Sequence, residues 1–161
     1  MRMVKMLIML LVAVLYYQPA ISADLDFSKS ITIGNGPKTV TEFTDPDCPF
    51  CRKASNYFDG RSDVKRHVFF NPLPRHPKAK EKVQYILSQM DRASAYHTVM
   101  SGKMDAVQKI EGITPLGIKA QEEHLEIVKK NKVDSTPTFM INGRIIVGFD
   151  RDKIEEALGI K

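Results

Sequence analysis

Residues 43–53 read Phe-Thr-Asp-Pro-Asp-Cys-Pro-Phe-Cys-Arg-Lys and contain both cysteines of the 161-residue chain, Cys48 and Cys51. A disulfide between these thiols closes too short a loop to restrict the unfolded chain much, which disfavours a structural staple. Zinc needs about four ligands, and none of the 4 histidines has ligand-like spacing to another. Covalent haem needs a histidine directly after the second cysteine, where Arg52 stands. The pair therefore favours dithiol redox chemistry.

The residues on either side of the cysteines predict a strand followed by a helix. Thr39–Thr44 is rich in β-branched residues, and Pro49 suits the first helical turn, where its missing N–H would be unpaired anyway. Apolar residues then recur at helical spacing until Gly60; they are Cys51, Ala54, Tyr57 and Phe58. Cys48 is thereby placed at a helix N-terminus, where free N–H groups and the helix dipole favour a thiolate.

This placement predicts different roles for the two thiols. Cys48 is expected to be the exposed nucleophile, and Cys51, on the apolar helix face, the buried resolving thiol. Arg52 and Lys53 would stabilise a thiolate at Cys48, whereas Asp45 and Asp47 would destabilise it. The sequence does not decide which of the two effects is larger.

Four more strands are predicted outside this motif. Asp63–Phe70 alternates apolar and polar residues, so the cysteines lie in a strand–helix–strand unit with parallel strands. Ile31–Ile33 is a short strand before that unit. Thr138–Ile141 and Arg144–Phe149 flank Asn142-Gly143, a strong hairpin signal.

The middle and the end of the chain are predicted to be helical. Val83, Ile86, Leu87 and Met90 mark one apolar helix face, and Ala93–Met100 continues or restarts it. Thr114-Pro115 resembles an N-cap followed by proline and opens a helix to about Asn131. Asp150 is expected to cap a last helix. Lysines of the first segment are interpreted as a solvated helix face; they are Lys78, Lys80 and Lys82.

The first 23 residues have the layout of a secretory signal peptide. Arg2 and Lys5 precede the unbroken apolar run Met6–Tyr17, and cleavage is expected after Ala23. The alternative is a membrane anchor, but the run is too short to span a ~30 Å hydrocarbon core. Cleavage leaves residues 24–161 as one expected domain and lowers the formal charge from +5 to +3, which does not demand a nucleic-acid partner.

Together these motifs resemble the thioredoxin fold. Residues 43–53, Thr136-Pro137 and Gly148-Phe149 are similar, more narrowly, to the catalytic domain of the DsbC/DsbG disulfide isomerases. The resemblance implies an α/β, thioredoxin-like fold, in which helices flank a central mixed sheet. A helical insertion is expected at about residues 75–131, between the βαβ and ββα halves.

The resemblance also implies how a substrate is held. Pro137 is expected to be cis and to pack beside the cysteines, so that the Thr136 backbone can bind an extended substrate segment as an added strand. Pro49 and Phe50 are expected to tune the active-site helix, and Phe50 to offer an apolar contact to unfolded clients.

Glu42, six residues before Cys48, has two interpretations. It stands where thioredoxins and DsbA-type oxidases carry a buried carboxylate, and in that position it would shuttle the proton of Cys51. The alternative is that the strand leaves Glu42 near solvent, since a buried carboxylate is costly unless it has a partner or a proton.

The implied function is an exported thiol–disulfide oxidoreductase of the isomerase or reductase type. It would act in the periplasm on unfolded or misoxidised exported proteins, with a DsbD-like membrane reductase restoring its dithiol. No metal and no cofactor are expected beyond the redox-active disulfide Cys48–Cys51.

Two alternatives remain open at this point. About six residues precede the first strand, so the separate dimerisation domain of those isomerases is missing and a monomer is expected. A monomer with Glu42 would also suit a DsbA-like dithiol oxidase served by a DsbB-like partner. The third hypothesis is a non-catalytic chaperone that binds clients through a groove beside Pro137.

Overall fold

The computed structural model describes residues 25–160, so the predicted signal peptide lies outside the described residues. Five strands form one sheet; they are β1 (Ile31–Ile33), β2 (Lys38–Thr44), β3 (Val64–Phe70), β4 (Thr138–Ile141) and β5 (Arg144–Val147). Their order in space is β1-β3-β2-β4-β5. Strands β2 and β3 are parallel and the other neighbours antiparallel, which confirms the predicted mixed sheet.

Helix α1 (Pro49–Asp59) connects the two parallel strands. Parallel neighbours need a crossover rather than a tight turn, and the helix supplies it. Cys48 is the N-cap residue, Pro49 is the first helical residue and Gly60 ends the helix, as predicted. Cys48 therefore lies between the carboxyl end of β2 and the N-terminus of α1.

Three helices fill the predicted insertion: α2 (Ala79–Ser88), α3 (Arg92–Met100) and α4 (Pro115–Lys130). The Thr114 hydroxyl accepts a hydrogen bond from the Gly117 amide at 3.1 Å, which confirms the predicted cap. Met90 is fully exposed, so its prediction as a core residue is wrong. The physical reason is that α2 ends at Ser88 and Gln89 is extended, so helical spacing no longer places Met90 on the buried face.

The C-terminal hairpin has the predicted turn but a shorter second strand. Asn142 and Gly143 both adopt positive φ angles, 48° and 77°, as this tight turn requires. Strand β5 ends at Val147, two residues early, because Gly148 has a φ of 82° and turns the chain. The Gly148 amide donates to the Pro137 carbonyl oxygen at 2.7 Å, so the end of the hairpin contacts the loop before β4.

The last helix, α5 (Arg151–Ala157), begins where the sequence predicts. The Asp150 carboxylate accepts from the Lys153 amide at 3.2 Å and caps the helix. Ile154, Ala157 and Leu158 are buried, as predicted. Within residues 25–160, none of the helices is long and apolar enough to cross a membrane.

The core occupies both faces of the sheet. Alternate residues of β2 point to opposite faces, so Val40 packs with Ala54 of α1 while Phe43 packs with Val128 of α4. A further buried cluster joins Cys48 and Cys51 to residues of β1, β3, α2 and α3. The insertion therefore packs directly against the cysteine pair.

Candidate active site

Both thiols are free and lie in the first turn of α1 or at its cap. The Cys48 amide donates to the Asp45 carbonyl at 3.1 Å, and the Cys48 carbonyl accepts from the Arg52 amide at 3.1 Å. Cys51 is fully buried, as predicted, but only 3% of Cys48 is exposed. The expectation of an exposed Cys48 is wrong, because its sulfur turns inward and lies 3.5 Å from the Thr136 carbonyl oxygen.

The surroundings of Cys48 lower its pKa from 9.0 to about 5. The largest cause is a hydrogen bond from the Cys51 thiol, which outweighs the opposing effect of burial. Backbone N–H groups of Cys51 and Phe50 and the Thr136 hydroxyl lower the pKa further. These amides belong to the open N-terminus of α1, so the predicted stabilisation of a thiolate at this position is supported by specific donors.

The surroundings of Cys51 act in the opposite direction. Burial raises the pKa of this thiol far above its usual range, and its hydrogen bond to Cys48 raises it further. The Asp45 amide donates to Cys51 Sγ at 3.4 Å, and it and the Thr44 hydroxyl oppose that rise. One thiol of the pair is therefore held as a thiolate and the other as a protonated donor to it.

Thr136 and Pro137 lie beside the cysteine pair, as predicted. The peptide bond between them is cis, and both residues are buried. The Thr136 carbonyl oxygen contacts the Cys48 sulfur, so the two segments meet although 88 residues separate them in the chain.

Pro49 and Phe50 have different environments at the start of α1. Pro49 occupies the first helical position, where its ring fits the helix geometry. Phe50 is 56% exposed, and Lys53 Nζ lies 5.2 Å from the centre of its ring. An exposed aromatic ring between the two cysteines is available for contact with another chain.

Glu42 is completely buried, so the interpretation that places it near solvent is wrong. Its carboxylate forms an ion pair with Arg66 at 3.0 Å, and Arg66 is itself 2% exposed. The Arg66 guanidinium also contacts Asp59 at 3.0 Å and the Tyr96 hydroxyl at 3.1 Å. Because the partner of Glu42 is Arg66 rather than a cysteine, transfer of the Cys51 proton to Glu42 stays a prediction.

A cluster of two bases and two acids lies next to the cysteine turn. Arg52 binds Asp105 through two hydrogen bonds of 2.6 and 2.7 Å and contacts Asp47 at 3.2 Å. Lys82 contacts both carboxylates and is buried, so its assignment to a solvated helix face is wrong. These contacts pair Arg52 with acids and fasten α2 and the turn after α3 to the start of α1.

Asp45 organises the loop that leads to Cys48. Its buried carboxylate accepts from the Asp47 amide at 2.8 Å and the Leu73 amide at 2.7 Å, and lies 2.8 Å from His76 Nδ1. The loop between β2 and α1 is therefore tied to the segment after β3. This fixes the Asp45 amide that faces Cys51.

A family model of the thioredoxin-like domain matches residues 27–158. The chain belongs to this family. Among solved structures, the chain is similar to the disulfide interchange protein from Neisseria gonorrhoeae, at 30% identity and a TM-score of 0.70, covering 84% of this chain and 96% of that one. It shares its fold with the catalytic domain of Proteus mirabilis ScsC, at 21% identity and a TM-score of 0.61, covering 87% and 91%. No curated protein matched the chain.

The thiol-disulfide exchange protein alpha-DsbA2 from Wolbachia pipientis also shares the fold, at 14% identity and a TM-score of 0.63, covering 81% of this chain and 86% of that one. Membership of the thioredoxin-like family confirms the predicted fold class. The family and its structural neighbours also support oxidoreductase activity, which confirms the predicted enzyme class. The comparisons do not single out the DsbC/DsbG branch.

Some residues of this thioredoxin-like site were not found by sequence reasoning. Asp105 carries no local motif and reaches Arg52 across 53 residues of chain. Arg66 lies in a strand whose alternation predicts only which side chains share a face. Thr44 is recognisable from sequence as the last strand residue, but its unpaired hydroxyl is visible only in three dimensions.

Proposed function

We propose that the chain is an exported thiol–disulfide oxidoreductase that isomerises or reduces disulfides in exported proteins, with Cys48 as nucleophile and Cys51 as resolving thiol. The observation that carries this proposal is the position of both thiols at one helix N-terminus, with Cys48 as the N-cap residue and Cys51 fully buried in the first turn. The opposite directions of their pKa shifts agree with this placement. The attacking species in thiol–disulfide exchange is the thiolate. A second thiol that stays protonated does not compete with it.

The proposed reaction runs in two steps. The Cys48 thiolate attacks one sulfur of a client disulfide, a mixed disulfide forms, and the other client sulfur leaves as a thiolate that takes a proton from water. A client thiol can then attack the mixed disulfide and release the enzyme, which completes an isomerisation. Otherwise Cys51 attacks Cys48, and the client leaves with two thiols while the enzyme holds the Cys48–Cys51 disulfide.

Thr136, Pro137 and Phe50 are proposed to hold the client. The Thr136 backbone lies at the Cys48 sulfur, where an extended client segment would place its disulfide on adding to it as a strand. The exposed Phe50 ring would contact apolar side chains, which unfolded clients expose.

The cellular setting is part of the proposal. Residues 1–23 would direct export and be removed, leaving residues 24–161 as the mature domain, monomeric and in the periplasm. After one reduction of a client the enzyme holds the Cys48–Cys51 disulfide, which must be reduced before the next cycle. A DsbD-like membrane reductase would supply these two electrons.

One observation favours a second candidate, a DsbA-like oxidase served by a DsbB-like partner. Stabilising the Cys48 thiolate stabilises the reduced protein, and a more stable dithiol makes the corresponding disulfide a stronger oxidant. Acid-quenched thiol trapping in the native host separates the two directions. A mainly reduced pair supports isomerase or reductase, and a mainly oxidised pair supports oxidase.

The catalytic assignment is tested with purified protein and a substrate carrying scrambled disulfides. Cys48→Ser is expected to abolish rearrangement and reduction, because it removes the nucleophile. Cys51→Ala is expected to accumulate mixed disulfides, because it removes the resolving thiol and keeps the nucleophile. Undiminished rearrangement by Cys48→Ser would overturn the proposal, and full biological function of a double cysteine variant would favour the chaperone hypothesis.

A further inference from the structure

The interface between β2 and α1 contains buried polar atoms that lack a hydrogen-bond partner among residues 25–160. They are Thr44 Oγ1, Glu42 Oε1 and Ser55 Oγ. Of the two residues in this group that belong to β2, Thr44 is nearer to the cysteine loop than Glu42, and Thr44 is completely buried. An unpaired buried hydroxyl destabilises a fold, so the Thr44 hydroxyl is a donor that is still available to an acceptor that develops beside it.

The position of Thr44 places its side chain under the cysteine turn. It is the last residue of β2 and points to the same sheet face as Val40, which packs against α1. Its register partner in β3 is Phe70, and Phe70 and Cys51 belong to one buried cluster. The Asn71 amide donates to the Thr44 carbonyl oxygen at 2.8 Å and fixes the backbone there.

A second donor reaches Cys51 from the next residue of the chain. The Asp45 amide donates to Cys51 Sγ at 3.4 Å. Burial raises the pKa of Cys51 most strongly, while the Thr44 hydroxyl and the Asp45 amide both lower it. The Asp45 amide is therefore bonded to a sulfur that carries negative charge only when it reacts, and the hydroxyl of the preceding residue is close enough to lower the pKa of the same sulfur.

We propose that the Thr44 hydroxyl is a catalytic hydrogen-bond donor to the Cys51 sulfur during the resolving step, an inference that rests on the proposed function. In that step Cys51 loses its proton to water, its thiolate attacks the Cys48 sulfur, and the bond between Cys48 and the client breaks. The client leaves as a thiolate. Thr44 keeps its own proton throughout, and its hydrogen bond to the Cys51 sulfur forms as charge develops there.

The test uses the reduced protein and an aromatic disulfide that releases a coloured thiolate, dithiobis(nitrobenzoate). The first release follows attack by Cys48, and the second follows attack by Cys51 on the mixed disulfide. Thr44→Val is expected to slow the second release about tenfold or more, as loss of a hydrogen bond to a charged group predicts. The first release is expected to stay within about twofold, because Cys48 attacks without Thr44.

Two further variants distinguish catalysis from a structural effect. Thr44→Ser keeps the hydroxyl and is expected to restore the second release. Thr39→Val makes the same chemical change at an exposed position of β2 and is expected to change neither release. The Tm of Thr44→Val is expected to equal or exceed that of the wild type, since an unpaired buried hydroxyl has been removed. If Thr44→Val does not fold, Thr44→Ala gives the same kinetic test.

The outcomes separate this inference from the function on which it rests. A second release that Thr44→Val leaves within about twofold of the wild-type rate would overturn the role of Thr44 while Cys48 remains the nucleophile. A wild-type protein that shows no first release would instead overturn the proposed function.

Discussion

Removing the Cys51 thiol is expected to raise the pKa of Cys48. The hydrogen bond from Cys51 is the largest cause of the low value of about 5. A hydrogen bond to a charged group contributes about 1.5–3 kcal/mol, and one pKa unit corresponds to about 1.4 kcal/mol. Cys51→Ala is therefore expected to raise the pKa of Cys48 by about one to two units.

The assay is the rate of alkylation of Cys48 as a function of pH. Alkylation follows the thiolate, so the wild-type rate should rise as pH increases through about 5 and then level off. The midpoint in Cys51→Ala should lie about one to two units higher, whereas Cys51→Ser, which retains an O–H donor, should stay closer to the wild type. A Cys51→Ala midpoint equal to the wild-type midpoint would refute the assigned role of the Cys51 hydrogen bond.

Three further predictions follow from buried groups. The pKa of Cys48 falls from 9.0 to about 5 on folding, so the stability of the reduced protein relative to the oxidised protein should decrease as pH falls from 9 towards 5. Because folding raises the pKa of Cys51, the same relative stability should also decrease above pH 9. Urea unfolding that shows a pH-independent difference between the two forms would contradict this. Arg66→Met should lower the free energy of unfolding by about 3–5 kcal/mol, because the Glu42 carboxylate loses its buried partner. Adding Glu42→Gln should recover part of this loss. A loss below about 1 kcal/mol in Arg66→Met would count against a stabilising role of the ion pair. Burial lowers the pKa of His124 to about 4, so its NMR titration should have a midpoint near that pH. The free energy of unfolding should decrease as pH drops from 6.5 towards 4, because the unfolded chain binds the proton first. A titration midpoint near 6.5 would contradict a buried neutral ring.

Local sequence signals predicted the parts of the fold that local geometry determines. Pro49 after Cys48, Thr114 before Pro115 and Asn142-Gly143 each specify a backbone conformation within a few residues, and the structure confirms all three. The alternation in β3 predicted a strand that pairs with β2 through a helical crossover. These signals were sufficient to predict the sheet and the position of the cysteine pair.

The parts that sequence did not predict depend on contacts between distant residues. Cys48 is buried where it contacts Thr136, and Lys82 is buried where it contacts Asp105. Periodicity also failed at Met90, since it holds only while the helix continues. Such pairings have no local signature in a single sequence, so they could be found only in the folded chain.

The identity of the nucleophile is tested most directly by mass spectrometry of mixed disulfides formed by Cys51→Ala. The purified variant would be incubated with an oxidised client, acid-quenched, digested without reduction and searched for the cross-linked peptides. The expected result is a client peptide linked through Cys48 and released by a reductant. A Cys51→Ala protein that forms no such disulfide while wild-type protein still reduces the client would contradict the assignment of Cys48 as nucleophile and Cys51 as resolving thiol.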